Sequence, residues 1–293
     1  MNGDIINFLF NGTLNGAVFS LIALGYSLVY GVGKIMNLSH GAYFMMTGYF
    51  LLWFIDLFPG YELVIVMFSI SIITLIGGLT YLLLIKPLQD THVGVVLITF
   101  GLAFFFEQLA LIISGTEAYS ITAYSIIPGS TTILGFSMIN QYIFLIIISL
   151  IIVSLFALFI NKSKLGKSIR AVSQDREAAT LMGINANRIL FFTVMISAFL
   201  ASIAAILYIP AAAINGPTMG WEYLTNSFAV VILGGMGSLV GSVIGAYIVG
   251  YVTSFTSIFI PNGPSWAHLI PIIVIVIMLI IRPQGLFGKK ELR

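Results

Sequence analysis

The sequence has no cysteine and very few charged residues. Of its 293 residues, 8% are charged and 59% are hydrophobic or aromatic. Without cysteine the chain cannot form a disulfide, a thiolate metal site or a cysteine nucleophile. Soluble domains usually carry about 25% charged residues, so this chain has too few to cover a water-exposed surface. The composition therefore predicts an integral membrane protein whose surface faces mainly lipid.

The sequence also lacks the residue patterns that support catalysis or ATP binding. Its three histidines, His40, His92 and His268, are far apart in sequence and do not have metal-binding spacing. It contains no G-x-x-x-x-G-K-[ST] phosphate-binding loop and no evident nucleophile–base pair. We therefore expect a chain that is not an enzyme, binds no cofactor and does not itself hydrolyse ATP.

Long apolar stretches predict an all-α, polytopic membrane bundle that forms a single domain over 1–293. A span needs about 17–25 mostly apolar residues. About eight stretches qualify, near 8–31, 41–56, 63–85, 94–113, 141–160, 189–212, 238–259 and 266–281. The first run has no basic start before it, so it is predicted to be a span and not a signal peptide. A shorter stretch near 223–235 predicts a half-helix, or a span broken together with Ala211, Ala212 and Ala213.

The distribution of basic residues predicts the orientation of the chain. If the C-terminus is cytoplasmic and the spans alternate, all 12 basic residues lie on the inner side. These are Lys34, Lys86, Lys162, Lys164, Lys167, Arg170, Arg176, Arg188, Arg282, Lys289, Lys290 and Arg293. The charges of the outer segments are then all acidic, namely Asp4, Asp56, Glu62, Glu117 and Glu222. This predicts an outer N-terminus and a re-entrant segment over 214–236. Glu222 with Trp221 on the outer face is predicted either to contact a binding protein or, through the tryptophan, to anchor the interface.

The longest predicted cytoplasmic loop, 162–188, contains six basic and two acidic residues. Ser173 is a suitable N-cap, and Asp175 and Glu177 favour the positive end of a helix dipole. Strong helix formers follow, and Gly183 can end the helix in the left-handed conformation. The loop therefore predicts about nine residues of helix across the cytoplasmic face. Such a helix suits docking into a groove on a soluble partner, and the alternative is a basic helix that binds anionic lipid.

Four stretches resemble those of a known transporter family. Glu177-Ala178-Ala179-x-x-x-Gly183 resembles the EAA coupling motif of bacterial ABC-importer permeases. The stretches 23–31 (ALGYSLVYG), 37–41 (NLSHG) and 282–288 (RPQGLFG) resemble the LivH-type permease of branched-chain amino acid importers. The similarity covers nearly the whole chain, and the length is similar to the shorter of the two paired permeases in that family.

The resemblance implies a function, partners and coupling residues. The chain would be a permease of the bacterial plasma membrane that moves branched-chain or similar hydrophobic amino acids. Its partners would be a second permease, two ATPase subunits that bind ATP and Mg²⁺, and an extracytoplasmic binding protein. A heterodimeric pore is expected, and two copies of this chain are the alternative. The implied ATPase-coupling residues are Asp175, Glu177, Ala178, Ala179, Leu181, Met182 and Gly183.

Other solutes and another transport mechanism stay open at this point. Related permeases carry urea or short amides, and nothing in the sequence excludes these solutes. An ion-coupled secondary carrier is a further alternative. Such a carrier needs intramembrane carboxylates, and only Glu107 qualifies in this sequence.

Polar residues within the predicted spans are candidates for the translocation pathway. Glu107, beside Gln108, lies about 14 residues, or about 21 Å, from the inner end of its span. It is predicted either to meet the ammonium group of an amino acid or to form a hydrogen-bonded contact between helices. Asn37, Ser39 and His40 form a polar turn at the inner mouth. They are predicted either to line an exit gate or to cap the helix that follows.

Overall fold

The apolar stretches form long helices because a helix satisfies its own backbone hydrogen bonds in lipid. The structure, a computed structural model, describes residues 2–55, 57–121, 125–133 and 135–288. In chain order the helices are α1 Asn2–Gly33, α2 His40–Ile55, α3 Glu62–Leu79, α4 Lys86–Leu88, α5 His92–Ser114, α6 Asn140–Lys162, α7 Lys164–Gln174, α8 Arg176–Leu181, α9 Ala186–Tyr208, α10 Met219–Gly234, α11 Leu239–Phe259, α12 Gly263–Ala267 and α13 Ile270–Ile281. A π-helical turn, Thr80–Ile85, joins α3 to α4.

Six helices of the described chain are long and apolar enough to cross a membrane, and they are Gly3–Gly33, Glu62–Leu88, His92–Ser114, Asn140–Lys162, Ala186–Tyr208 and Leu239–Phe259. The two other predicted spans appear as shorter helices, α2 with 16 residues and α13 with 12. The protein is therefore a polytopic helical bundle, whereas the count of about eight spans and the orientation stay predictions. Four residues used for the orientation, Asp56, Lys289, Lys290 and Arg293, lie outside the described residues.

Helix α1 lies at the centre of the bundle. In its most apolar window 89% of the residues are buried, against 22% in the corresponding windows of α5 and α6. Helices α6, α9, α10 and α11 all contact α1. A Cβ on Gly250 of α11 would lie 2.5 Å from the backbone nitrogen of Gly16, so glycine permits this close approach. Helices α5 and α6 instead expose large apolar side chains, such as Ile112 and Leu155, as expected of lipid-facing helices.

The segments predicted to be cytoplasmic gather at one end of the bundle. Arg176 Nη2 donates a hydrogen bond to Gln89 Oε1 at 3.3 Å, which brings two of these segments together. Val32, at the end of α1, belongs to the same apolar cluster as Val172 of α7. These contacts agree with the predicted alternation of the spans.

Two short β-ladders form at the opposite end, and the sequence does not predict them. Strand β1 (Tyr119–Ser120) pairs with β4 (Ala213–Ile214), and β2 (Ser130–Ile133) pairs with β3 (Phe136–Ile139). Both pairs are antiparallel. The description all-α therefore holds for the spans but not for the loops at this end.

The ladder of β4 corrects one prediction about the spans. Helix α9 ends at Tyr208, so the predicted span 189–212 is too long by a turn. Ala213 belongs to β4, and Ala211–Ala213 is therefore not part of a broken span. The half-helix interpretation is the better one, since α10 is a separate helix of 16 residues.

The stretch after α13 turns back and caps α10. Helix α13 ends at Ile281, where Pro283 prevents its continuation. Leu286 N then donates to Leu233 O at 2.8 Å, which satisfies a carbonyl that the end of α10 leaves without an intrahelical partner. Gly285 has φ 75°, and a Cβ there would lie 2.4 Å from the Cα of Gly235. The 282–288 stretch therefore has a structural role.

Candidate functional site

The predicted coupling region folds as two short helices, α7 and α8, between the long helices α6 and α9. Ser163 begins α7, and its Oγ accepts a hydrogen bond from Gly166 N at 2.8 Å. Helix α7 buries Ile169 and Val172 in an apolar cluster shared with α1 and α9. It therefore lies firmly against the end of the bundle.

Asp175 is the N-cap of α8. The prediction that Ser173 is the N-cap is therefore wrong. The Asp175 carboxylate accepts a hydrogen bond from Ala178 N at 2.9 Å, and its backbone is extended, as is typical of an N-cap. Ser173 lies within α7, where its Oγ donates to Arg170 O at 2.9 Å. Because α7 occupies the residues before Asp175, α8 has six residues and not about nine. Gly183 follows with φ 84°, as predicted.

Two inward contacts fix α8 to the bundle. Ala179 is 5% exposed and packs in the apolar cluster that includes Ile189 of α9. Arg176 Nη2 donates to Asn187 Oδ1 at 2.8 Å in addition to Gln89. The sequence showed Arg176 only as one basic residue of a loop. Its partners lie 11 and 87 residues away, and no local pattern marks them.

Most of the predicted coupling residues face away from the bundle. Leu181 and Met182 are 88% and 83% exposed. The exposed members of the set also include Asp175, Glu177, Ala178 and Gly183. A helix that is fixed to the bundle and exposes two large apolar side chains can serve as a contact surface for a partner.

Asn37 and Ser39 form a buried cap at the start of α2. Asn37 Oδ1 accepts hydrogen bonds from Ser39 N at 3.1 Å and from Ser39 Oγ at 2.6 Å. Ser39 Oγ also lies 2.9 Å from the hydroxyl of Tyr43. The residues are only 2% and 0% exposed. The arrangement supports the capping alternative, and a role at an exit gate stays a prediction.

His40 joins three helices from a fully buried position. Its Nε2 lies 2.9 Å from Ile22 O in α1, and its Nδ1 lies 2.9 Å from Ser197 Oγ in α9. A carbonyl can only accept, so Nε2 carries the proton and Nδ1 accepts from the serine hydroxyl. Both ring nitrogens are thus engaged in packing α2 against α1 and α9.

Glu107 forms the interhelical contact that the sequence offered as one alternative. It is half-buried on α5, and its carboxylate accepts a hydrogen bond from the indole Nε1 of Trp221 on α10. Gln108 is half-buried beside it. A direct role of either residue in the pathway stays a prediction. Within the described ranges, no three His, Asp or Glu side chains form a group that could hold a metal ion.

Comparison with known proteins identifies the family. Residues 8–279 match the family described as branched-chain amino acid transport system / permease component. The chain belongs to this family. It is similar to the high-affinity branched-chain amino acid permease BraD of Pseudomonas aeruginosa, with 27% identity over 97% of this chain and 95% of BraD. It is also similar to LivH of Escherichia coli K12, with 24% identity over 97% and 95% of the two chains.

A solved structure shows the same fold. A chain of PsaBC from Streptococcus pneumoniae, in complex with a Fab, superposes with a TM-score of 0.52 and 17% sequence identity. The match covers 96% of this chain and 94% of the other. With its family membership and apolar spans, this protein is a multi-pass permease component of an ABC transport system in the plasma membrane, and its role is transport.

Proposed function

We propose that this permease imports branched-chain amino acids that an extracytoplasmic binding protein delivers. It does so as a single transmembrane domain, with a second permease and two ATPase subunits that bind ATP and Mg²⁺. The solute named in its relatives, BraD and LivH, supports this substrate class over urea or short amides. In this proposal the segment 162–188 faces the cytoplasm, which the distribution of basic residues supports.

The structure of α8 is the observation that carries this proposal. A motion of an ATPase subunit reaches the membrane spans only through a segment that is both exposed to the partner and fixed to the bundle. Helix α8 has both properties, because Leu181 and Met182 are exposed whereas Arg176 and Ala179 are anchored. Displacement of α8 is passed to α9 through the short connection 182–185. The opening of the pathway then changes from one face of the membrane to the other.

Single-cysteine cross-linking tests the contact, because the natural chain has no cysteine that would compete. We expect Ala178→Cys and Met182→Cys to cross-link to an ATPase subunit when the importer is assembled in membranes. Ala179→Cys is the matched control, since its side chain is buried one residue away from Ala178. Cross-links only to phospholipid, or labelling of Met182→Cys from outside intact cells, would contradict the proposal.

Uptake in proteoliposomes tests the energy source. The complete importer should accumulate leucine, isoleucine or valine only when ATP is present on the side of the ATPase subunits. Glu177→Lys reverses the charge at an exposed position of α8, and we expect it to reduce uptake while the chain still inserts into the membrane. Uptake by this chain alone under an ion gradient would favour a secondary carrier.

A further inference from the structure

A polar cavity opens at the end of the bundle that carries the β-ladders. It has a volume of about 420 Å³ and lies among α1, α10, α11 and the connection between α12 and α13. That volume is within the range of small-ligand sites. None of the polar residues that the sequence suggested for the pathway lines it. The cavity is therefore a separate feature of the fold.

Two residues that line this cavity have a buried polar group without a hydrogen-bond partner in the described chain. Asn226 of α10 is only 6% exposed, and its side-chain amide makes no hydrogen bond to any residue that the structure describes. Thr253 Oγ1 of α11 is also buried and unpaired within the described chain. The Asn15 amide of α1 lines the same space. Buried polar groups are normally paired, so the unpaired amide of Asn226 indicates a polar ligand that pairs with it.

A carboxylate and an imidazole lie close together at the mouth of the cavity. Glu222 Oε1 and His268 Nδ1 are 3.6 Å apart, and their side chains are 46% and 66% exposed. A carboxylate attracts an ammonium group, whereas an imidazole N–H donates to a carboxylate. An α-amino acid carries an ammonium and a carboxylate on the same carbon, so a zwitterion matches this pair better than an ion of one sign.

The inner wall of the cavity is apolar. Val18, Phe19 and Met219 line it and are 2%, 6% and 4% exposed. An aliphatic side chain placed there leaves water for a hydrophobic surface, which is favourable. The cavity thus combines a charged mouth, amides that can each donate and accept, and an apolar wall.

We propose that this cavity is a binding site for an aliphatic amino acid within the permease. Asn15 and Asn226 hydrogen-bond the ammonium and carboxylate groups of the ligand, and Val18 and Phe19 contact its side chain. This site rests on the proposed function, because it names where the imported solute is held. It also gives Trp221 a role, since the indole lines the cavity while its N–H is held by Glu107.

Uptake by asparagine variants tests the site in the complete importer. Leucine replaces asparagine with little change in volume and removes the hydrogen-bonding groups. We expect Asn226→Leu and Asn15→Leu to lower leucine uptake at least about tenfold, the effect of losing buried groups that hydrogen-bond a ligand. Asn11→Leu is the matched control, because Asn11 lies one turn from Asn15 on α1 and does not line the cavity. Leucine uptake by the Asn11→Leu importer should stay within about twofold of uptake by the wild-type importer.

Protection of a single cysteine gives a readout that does not depend on transport. Thr218→Cys is at an exposed position of the cavity wall and should react with a thiol reagent. In the assembled importer without binding protein or ATP, saturating leucine should slow this reaction. Labelling of Thr131→Cys, on an exposed strand at the same end, should be unaffected by leucine.

The possible results distinguish a failure of the proposed binding site from a failure of the proposed function. Lack of leucine uptake by the wild-type importer would overturn the proposed function and the site with it. Normal wild-type uptake that Asn226→Leu and Asn15→Leu both retain would overturn the site alone. A labelling rate at Thr218→Cys that leucine does not change would also overturn it, even if the asparagine variants fail to assemble.

Discussion

The indole Nε1 of Trp221 donates a hydrogen bond to the carboxylate of Glu107 and so connects α10 to α5. The two residues are 114 positions apart in sequence. A carboxylate within a span is unfavourable when it faces lipid, so it is expected to face protein or water. The bond gives the Glu107 carboxylate a partner, and it also fixes Trp221 in the wall of the proposed amino acid site.

Glu107→Leu should therefore destabilise the protein and reduce uptake, whereas Glu107→Gln should do so only weakly. A glutamine oxygen still accepts the bond from Trp221, and leucine does not. We expect Glu107→Leu to lower the free energy of unfolding by about 1–2 kcal/mol, as for other polar contacts between helices in membranes. Equilibrium unfolding of the two variants in mixed detergent micelles measures this difference in the free energy of unfolding. Adding Trp221→Phe to Glu107→Leu should lower the free energy of unfolding little further. If the effects of the two substitutions on that free energy were fully additive, the two residues would act independently.

His40 should behave as a packing residue and not as a gate residue. His40→Leu removes the buried hydrogen bonds to the carbonyl of Ile22 and the hydroxyl of Ser197. The Ile22 carbonyl keeps its intrahelical bond, whereas the Ser197 hydroxyl loses a buried partner at a cost of about 1–3 kcal/mol, so unfolding should require less denaturant. Ser197→Ala removes one of these bonds and should have a smaller effect. A His40→Leu importer of normal stability that no longer takes up leucine would instead support the predicted exit gate.

The membrane helices were predictable because hydropathy is a local property of the sequence. The predicted span 141–160 lies within Asn140–Lys162, and 94–113 lies within His92–Ser114. The β1–β4 ladder was not predictable, because each strand has two residues and its partner is distant in the chain. Strands this short have no alternating pattern that could be recognised in a sequence.

The coupling region was predictable as a helix but not in its detail. Both Ser173 and Asp175 are good N-cap residues, and the sequence alone does not choose between them. The choice depends on where α7 ends, and α7 is fixed by the burial of Ile169 and Val172 against other helices. For the same reason the sequence did not show that Ala179 faces inward whereas Ala178 faces out.

Gly183→Pro should uncouple ATP hydrolysis from uptake. Gly183 has φ 84° and donates its N–H to Thr180 O at 3.0 Å, and proline permits neither. Gly60→Pro is the matched control, since Gly60 has φ 89° and donates its N–H to Glu62 Oε1 in a loop at the opposite end. Both variants should insert into the membrane. We expect leucine uptake per ATP hydrolysed to fall several-fold in Gly183→Pro and to stay near the wild-type value in Gly60→Pro, and equal ratios would contradict the assignment.

Asp175→Ala and Ser173→Ala should have different effects on transport. The Asp175 carboxylate is the acceptor for Ala178 N, and without it the first turn of α8 loses about 1 kcal/mol of stabilisation. Helix α8 has only six residues, and so short a helix does not persist without its cap and its packing. A frayed helix bends when the ATPase subunit pushes it, so less of the motion reaches α9.

Leucine uptake should therefore fall in Asp175→Ala and be largely retained in Asp175→Asn, because an asparagine side chain also caps a helix. Ser173→Ala loses only a hydrogen bond within α7, to Arg170 O, and should transport normally. Cross-linking of Met182→Cys in the Asp175→Ala background reports on the same step, since a loose helix should give weaker and less specific cross-links to the ATPase subunit. If Ser173→Ala reduced uptake as much as Asp175→Ala, stability of the whole α7–α8 segment, and not the cap of α8, would determine coupling.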